Sequence, residues 1–172
     1  VSPIQKRDMR LDVIVGNHDI PFKHSLKNNS PQQVIGKEQN VNVYETIESF
    51  DIEDCKITLM PWVCKDNYEE SFETIRAGGD ILIGHYDVQG ALMFPGHYSR
   101  DGFDLFDFKD WNKVISGHYH TQSITENFTY TGTPYELMWS DSGGRHGFWV
   151  LDTATKELEF IKNPLGYHVK LI

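Results

Sequence analysis

Three apolar runs that each end in glycine constrain the fold of this chain more than any other feature. They are IVGNHD (14–19), LIGHYD (82–87) and ISGHYH (115–120). Each begins with aliphatic residues, as buried strands do, and glycine lets the backbone turn sharply where the strand ends. In layered α/β folds, ligands bind beyond the carboxyl ends of the strands. We therefore expect these three ends to converge on one place.

The remaining segments predict an α/β fold in which strands dominate towards the end. Tyr68, Phe72 and Ile75 have helical spacing, which predicts a helix over 68–77 with an acidic outer face. The further predicted strands are 41–45, 55–62, 80–84, 113–117 and a closing meander formed by 123–131, 146–152 and 156–161. This order suits a mixed sheet, or two packed sheets with helices outside, in a single domain that includes residues 1–172.

Composition excludes several classes of protein. The chain has 172 residues and a formal net charge of −9, which argues against broad electrostatic adhesion to nucleic acid. A nuclease that binds phosphate through metal ions remains compatible with that charge. Because there is neither a long apolar run nor a signal peptide, we expect a cytoplasmic protein without a membrane partner. The two cysteines, Cys55 and Cys64, lack CxxC spacing and predict buried free thiols rather than a disulfide.

Each histidine motif alone also fits an ordinary structural role. GNHD could be a turn in which the Asn and Asp side chains bond the local backbone, GHYD an ordinary strand-to-loop histidine, and GHYH a polar loop. Other aromatic residues are interpreted as core or rim (Tyr86, Trp111, Tyr119), and other histidines as surface or turn residues (His24, His97, His146, His168). The functional interpretation therefore depends on the three motifs occurring together, in order, on similar strand ends.

The ordered set GNHD, GH and GHxH resembles the last three motifs of the calcineurin-like metallophosphoesterases. Within them, the sequence from about Leu11 to Asp152 is similar to the SbcD-type double-strand-break nucleases, especially the recombination nuclease subunit of T-even-like phages. The segments that carry this similarity are IVGNHD, LMPWVC, GHYDVQG, SGHYHT, YTGTPYELMWSD and GFWVLDT. The resemblance implies a four-layer α-β-β-α sandwich of two mixed sheets.

The resemblance also implies a centre with two divalent metal ions, usually manganese in these nucleases, with magnesium, iron or zinc as alternatives. Asn17, His85 and His118 would bind one ion, and His120 would bind the other. Side chains repeat every second residue along a strand, so His118 and His120 should point the same way. His18 would face the scissile phosphate and help protonate the leaving oxygen.

Asp19 has two interpretations at this stage. Its carboxylate could orient the imidazole of His18, or it could cap the turn that follows the first strand.

Two earlier motifs of the family, DxH and GDxxD, have no match before Gly16. The only acidic residues there are Asp8 and Asp12, which lack the required Gly or His. From the resemblance we expect the chain to be the C-terminal portion of the nuclease domain, with the first strands upstream and a DNA-binding cap domain beyond Ile172. We accordingly expect residues 1–172 alone to be inactive.

These features predict a metal-dependent DNA exo- or endonuclease subunit of an SbcCD-type repair and recombination complex. Its partners would be double-stranded DNA, an SbcC-type ATPase and a second copy of the chain, in the host cytoplasm if the protein is viral. The alternatives are a phosphomonoesterase, a small-molecule phosphodiesterase, or a non-catalytic scaffold with the same fold. A scaffold should have lost the reactive His18, which this chain retains.

Overall fold

The computed structural model describes residues 3–94 and 96–168 of the chain. The helices are α1 Pro3–Lys6, α2 Ser30–Val34 and α3 Tyr68–Ala77, and 3-10 turns lie at Lys65–Asn67, Leu105–Phe108 and Trp139–Asp141. The strands are β1 Leu11–Ile14, β2 Val41–Tyr44, β3 Glu48–Ile52, β4 Cys55–Met60, β5 Gly79–Gly84, β6 Leu92–Phe94, β7 His97–Tyr98, β8 Trp111–Ser116, β9 Ser123–Thr125, β10 Phe128–Tyr130, β11 Gly147–Leu151 and β12 Leu158–Lys162. Within these described residues, no helix is long and apolar enough to cross a membrane.

A six-stranded mixed sheet forms the centre of the fold, with the strand order β3-β4-β5-β8-β10-β9. The four inner strands run parallel, and the edge strands β3 and β9 pair antiparallel. Parallel strands present their carboxyl ends at the same edge of a sheet. The residues that follow β5 and β8 therefore begin side by side.

Side chains of this sheet alternate between two apolar layers, as the two-residue period of a strand requires. Leu82 and Val114 face one layer, which also contains Ile75 of α3. Their neighbours Ile81 and Ile115 face the opposite layer. The residues that cover this opposite layer include Ile14 of β1, Tyr44 of β2, Leu151 of β11 and Leu158 of β12. A helix thus packs on one face of the sheet, and the strand pairs β1–β2 and β11–β12 pack on the other.

The predicted α/β class is confirmed, but the arrangement differs from the sequence-based expectation in two respects. Among the described residues, the layer opposite the large sheet consists of two separate pairs, parallel β1–β2 and antiparallel β11–β12. The last strands also do not form one meander, because β10 joins the large sheet beside β8. Periodicity identifies a strand, whereas its partner is decided by long-range packing.

Helix α3 has the bounds that its spacing predicts, and it stops where Gly78 adopts a φ of 72°. A Cβ at Gly78 would lie 2.5 Å from the Asp110 carbonyl oxygen, so glycine is needed there for space as well as for backbone angle. The indole of Trp111 donates to the Ile75 carbonyl at 2.7 Å and so ties β8 to α3.

The core contains the aromatic residues and cysteines that the sequence assigned to buried positions. Tyr86, Trp111 and Tyr119 are buried. Cys55 and Cys64 are free and buried, which confirms the expectation of free thiols. The strands β3, β6 and β7 were not predicted, because their side chains are mostly exposed and give no clear apolar period.

Tyr86 and Tyr130 provide a matched test of how buried hydroxyls contribute to stability. The Tyr86 hydroxyl is buried with no hydrogen-bond partner in the described residues, whereas the Tyr130 hydroxyl donates to the Tyr86 carbonyl at 3.1 Å. We expect Tyr86→Phe to raise the free energy of unfolding by about 1 kcal/mol and Tyr130→Phe to lower it by about 1 kcal/mol. Urea denaturation measures both. Equal losses in the two variants would show that the Tyr86 hydroxyl has a partner.

Candidate metal centre

The ends of β1, β5 and β8 meet at one edge of the molecule. The Gly117 amide, just beyond β8, donates to the Gly84 carbonyl at the end of β5 at 3.0 Å. The Trp62 amide, just beyond β4, donates to the Val15 carbonyl at 2.8 Å and joins β1 to this edge. The three glycine-histidine segments therefore start from adjacent positions.

Three of the predicted ligands, Asn17, His85 and His118, lie together at this edge. The Nε2 atom of His85 is 2.9 Å from the amide oxygen of Asn17. The rings of His85 and His118 contact edge to face, with centroids 5.1 Å apart. Each of the three side chains comes from a different strand end, so the fold rather than local sequence creates the cluster.

Glycine is needed beside His85 because it leaves room for the imidazole. A Cβ at Gly117 would lie 3.0 Å from Nδ1 of His85, and a Cβ at Gly16 would lie 3.2 Å from Cε1. Gly16, Gly84 and Gly117 are not among the glycines with positive φ. The chain does turn after Gly16, where the Asp19 amide donates to the Gly16 carbonyl at 3.2 Å. The structure adds a steric reason for glycine, because a Cβ at Gly16 or Gly117 would crowd the His85 ring.

The burial of His85 sets its charge. Burial lowers the pKa of His85 to about 4, and the neighbouring His118 and His18 add to the shift. The ring is therefore neutral at physiological pH, which is the form that binds a metal ion.

Trp62 is part of this centre and was missed by the sequence analysis. Its ring lies 5.8 Å from the ring of His85 and 5.2 Å from that of His118, measured between centroids. The sequence did contain a signal that could have identified Trp62, because this residue follows a buried strand as the histidine motifs do. The indole forms an apolar wall that restricts both imidazoles.

The backbone reverses at His118, where φ is 89°. Strand β8 has already ended at Ser116, so strand alternation does not orient His118 and His120, contrary to the sequence-based explanation. Both rings nevertheless line the same cavity, which has a volume of about 660 Å³. A positive φ at a residue with a side chain is strained, and such strain is frequent at functional sites.

Asp87 contacts His118; the sequence analysis included it in the LIGHYD strand end but gave it no role. Its carboxylate lies 3.5 Å from Nε2 of His118 and accepts a hydrogen bond from the Tyr119 hydroxyl. The His118 imidazole holds the pKa of Asp87 below its usual value. The last residue of GHYD thus supports the first histidine of GHYH.

His120 faces a second carboxylate that the sequence analysis also missed. Its Nδ1 atom lies 3.2 Å from Oδ2 of Asp141. Asp141 is the final residue of the YTGTPYELMWSD segment, which entered the family resemblance without any role for this side chain. The pairing joins residues 21 positions apart in the chain, so spacing could not have indicated it.

His18 and Asp19 lie in the turn after β1. His18 is exposed. The carboxylate of Asp19 accepts a hydrogen bond from the Gly16 amide at 2.8 Å, which is the contact of a residue that caps the turn.

The four histidines set aside as surface or turn residues have different surroundings. His24 and His97 are exposed, and His97 stacks on Phe94 with centroids 4.2 Å apart. His168 contacts the Glu136 carboxylate at 3.2 Å. The prediction is wrong for His146, which is buried and bonded through both ring nitrogens.

The donor set at this edge fits a divalent ion of intermediate softness. It offers the amide oxygen of Asn17 and the neutral imidazole of His85, close enough together to bind one ion, with His118 beside them. Mixed imidazole and oxygen ligands suit manganese, iron and zinc. No three His, Cys, Asp or Glu side chains converge at metal-binding distance in residues 3–94 and 96–168, so the candidate centre depends on the amide of Asn17.

Comparison with known proteins finds a relative in a bacteriophage. The chain is 34% identical to exonuclease subunit 1 of Enterobacteria phage T4 over 172 residues, which is 99% of this chain and 50% of that protein. The chain therefore spans about half the length of the curated relative it matches. No protein-family model matches the chain.

Proposed function

We propose that this chain, a homologue of exonuclease subunit 1 of phage T4, forms part of the catalytic domain of a metal-dependent DNA nuclease. The homology agrees with the resemblance that the histidine motifs carry. The observation that supports the proposal most directly is the 2.9 Å approach of Asn17 and His85, with His118 against the same ring. An amide oxygen and two imidazoles from three strand ends make a mixed donor set that suits a divalent ion.

Asn17, His85 and His118 would bind one divalent ion in this proposal, and His120 would contribute to a second. When bound, two divalent ions supply an activated water and stabilise negative charge on a phosphodiester. The amide of Asn17 and the neutral ring of His85 bring no charge of their own. The net charge of −9 supports recognition of phosphate through cations rather than through a basic surface.

His18 would act on the substrate rather than bind metal. Its imidazole is exposed, and it lies near enough to His85 to contribute to the lowered pKa of that ring. Imidazole is the side chain best suited to donate a proton to a leaving oxygen near neutral pH. Asp19 would hold the turn that carries His18, through its bond to the Gly16 amide.

The finer fold and the assembly are also part of the proposal. In the proposed four-layer α-β-β-α sandwich of two mixed sheets, α3, the six-stranded sheet and the pairs β1–β2 and β11–β12 would supply three of the four layers. The relative is by name a subunit, which supports a partner subunit. We assign double-stranded DNA as substrate, an SbcC-type ATPase and a second copy of the chain as partners, and the host cytoplasm as the location.

Metal binding tests the ligand assignment. We expect His85→Ala and His118→Ala each to abolish tight manganese binding at one site, measured by calorimetric titration of the intact protein. His24→Ala is the matched control, because His24 is an exposed histidine that takes no part in the proposed centre. Equal effects from all three substitutions, or no effect from any, would contradict the assignment.

Substrate assays distinguish the proposed nuclease from its alternatives. The full-length protein, rather than residues 1–172 alone, should cleave linear duplex DNA when manganese is supplied. Hydrolysis of a small phosphate ester without DNA cleavage would favour a phosphomonoesterase or small-molecule phosphodiesterase. Manganese binding without either activity would favour a scaffold.

A further inference from the structure

We infer that Asp141 is a positioning residue of the candidate metal centre, which holds His120 with its Nδ1 protonated and its Nε2 free to bind an ion. The ligand role of His120 rests on the proposed function. The geometry is independent of it: Nδ1 of His120 lies 3.2 Å from Oδ2 and 3.4 Å from Oδ1 of Asp141. Histidines that bind metals usually donate their other ring N–H to a carboxylate, which fixes the ring and its tautomer.

The Asp141 carboxylate is fixed before any ligand arrives. Its Oδ2 atom accepts hydrogen bonds from the backbone amides of Leu137 at 3.0 Å and Met138 at 2.9 Å. The side chain is only 7% exposed. Since the carboxylate cannot rotate freely, it imposes a direction on the His120 ring, whose side chain is 35% exposed.

The backbone of Asp141 is held as firmly as its side chain. The carbonyl of Asp141 lies 2.9 Å from Nε2 of the buried His146 and accepts from the Gly144 amide at 2.9 Å. The other nitrogen of His146 lies 2.9 Å from the Thr133 hydroxyl. His146 therefore fastens the loop that carries Asp141 to the segment after β10, and this explains why that histidine is buried.

The two histidines of GHYH are supported through opposite ring nitrogens. Asp87 approaches Nε2 of His118, whereas Asp141 approaches Nδ1 of His120. His118 should accordingly carry its proton on Nε2 and leave Nδ1 free. The two rings thus provide opposite tautomers within one protein.

A purely structural explanation of Asp141 is that it caps the 3-10 turn Trp139–Asp141. Asp152 offers the matched control for this explanation. Its Oδ1 atom accepts from the amides of Ala154 at 2.9 Å and Thr155 at 3.0 Å, so it also bonds two backbone N–H groups. A variant at Asp152 loses a cap without disturbing a candidate ligand.

Nitrogen-15 NMR of the metal-free protein tests the inference directly. Long-range proton–nitrogen correlations at alkaline pH, where the rings are neutral, report which nitrogen of each histidine carries the proton. We expect the Nδ1–H tautomer for His120 and the Nε2–H tautomer for His118 in the unsubstituted protein. Asp141→Ala, which removes the acceptor for Nδ1, should shift His120 towards the Nε2–H form that free imidazoles in water favour, and Asp152→Ala should leave it unchanged.

Manganese titration of the same proteins gives the functional consequence. Asp141→Ala should weaken binding that depends on His120 by roughly 10–100-fold, while Asp152→Ala should not. An Nε2–H tautomer of His120 in the unsubstituted protein would overturn the inference, even if Asp141→Ala did not fold. An unchanged tautomer in a folded Asp141→Ala variant would also overturn it. Absence of manganese binding in the unsubstituted protein would instead count against the proposed function and leave the tautomer result standing.

Discussion

Replacing His18 with alanine is expected to lower the rate of DNA cleavage by roughly 10²–10⁴, the usual contribution of a positioned acid–base group. The affinity for manganese should stay unchanged, because the proposed ligands are Asn17, His85, His118 and His120. The exposed position of His18 in the turn after β1 allows the substitution without disturbing the core. The assay is cleavage of linear duplex DNA with saturating manganese by the intact protein, with His24→Ala as the control.

A second substrate separates proton transfer from other roles of His18. A phosphodiester whose leaving group needs no proton, such as a nitrophenyl ester, should be cleaved by His18→Ala with a much smaller defect than DNA. Normal DNA cleavage by the variant would show that GNHD is only a turn. An equal defect on both substrates would exclude His18 as the acid and favour a role in charge stabilisation.

Replacing Gly84 with alanine is expected to lower the free energy of unfolding by about 3 kcal/mol, the upper range for overpacking a core. The new Cβ would lie 1.9 Å from the hydroxyl oxygen and 2.0 Å from Cζ of Tyr86. Tyr86 is fully buried, so its ring has no space into which it can move. Denaturant unfolding measures the loss, and Gly166→Ala is the control, because a Cβ there meets no atom of residues 3–94 and 96–168 within 4 Å.

The double variant tests whether the clash is the cause. Tyr86→Ala removes the atoms that the methyl group introduced by Gly84→Ala would meet, so the two substitutions should be strongly non-additive. A loss within about 0.5 kcal/mol for Gly84→Ala, as for an ordinary surface position, would contradict the steric account. The result bears on the site as well, because Gly84 immediately precedes His85.

Much of the secondary structure could be predicted from the sequence, since local pattern determines it. Apolar β-branched runs identified β1, β4, β5 and β8, and the spacing of three apolar residues identified α3 with its observed bounds. Edge strand β3 was not predicted, because an edge strand with exposed side chains has no apolar period. The pairing of the strands could not be predicted either. Strand β10 was expected in a meander, and it instead lies beside β8.

The candidate site shows the same division. The sequence predicted that the strand ends before Asn17, His85 and His118 would converge, and the family resemblance implied these residues as ligands. The structure brings the three side chains together. The roles of the glycines were not predictable: Gly117 is needed because a Cβ would crowd the His85 ring, and only the packed structure shows which ring that is.

The sequence by itself determined the apolar strands β1, β4, β5 and β8 and which histidines follow them, because these properties depend on neighbours along the chain. Only the tertiary structure decided what supports those histidines. Asp87 meets His118, Asp141 meets His120, and Trp62 lines the rings of His85 and His118. The physical reason is that a hydrogen bond or ring contact between distant residues depends on where strands pair and loops return. Those positions are fixed by burial of the whole core, and no local period encodes them.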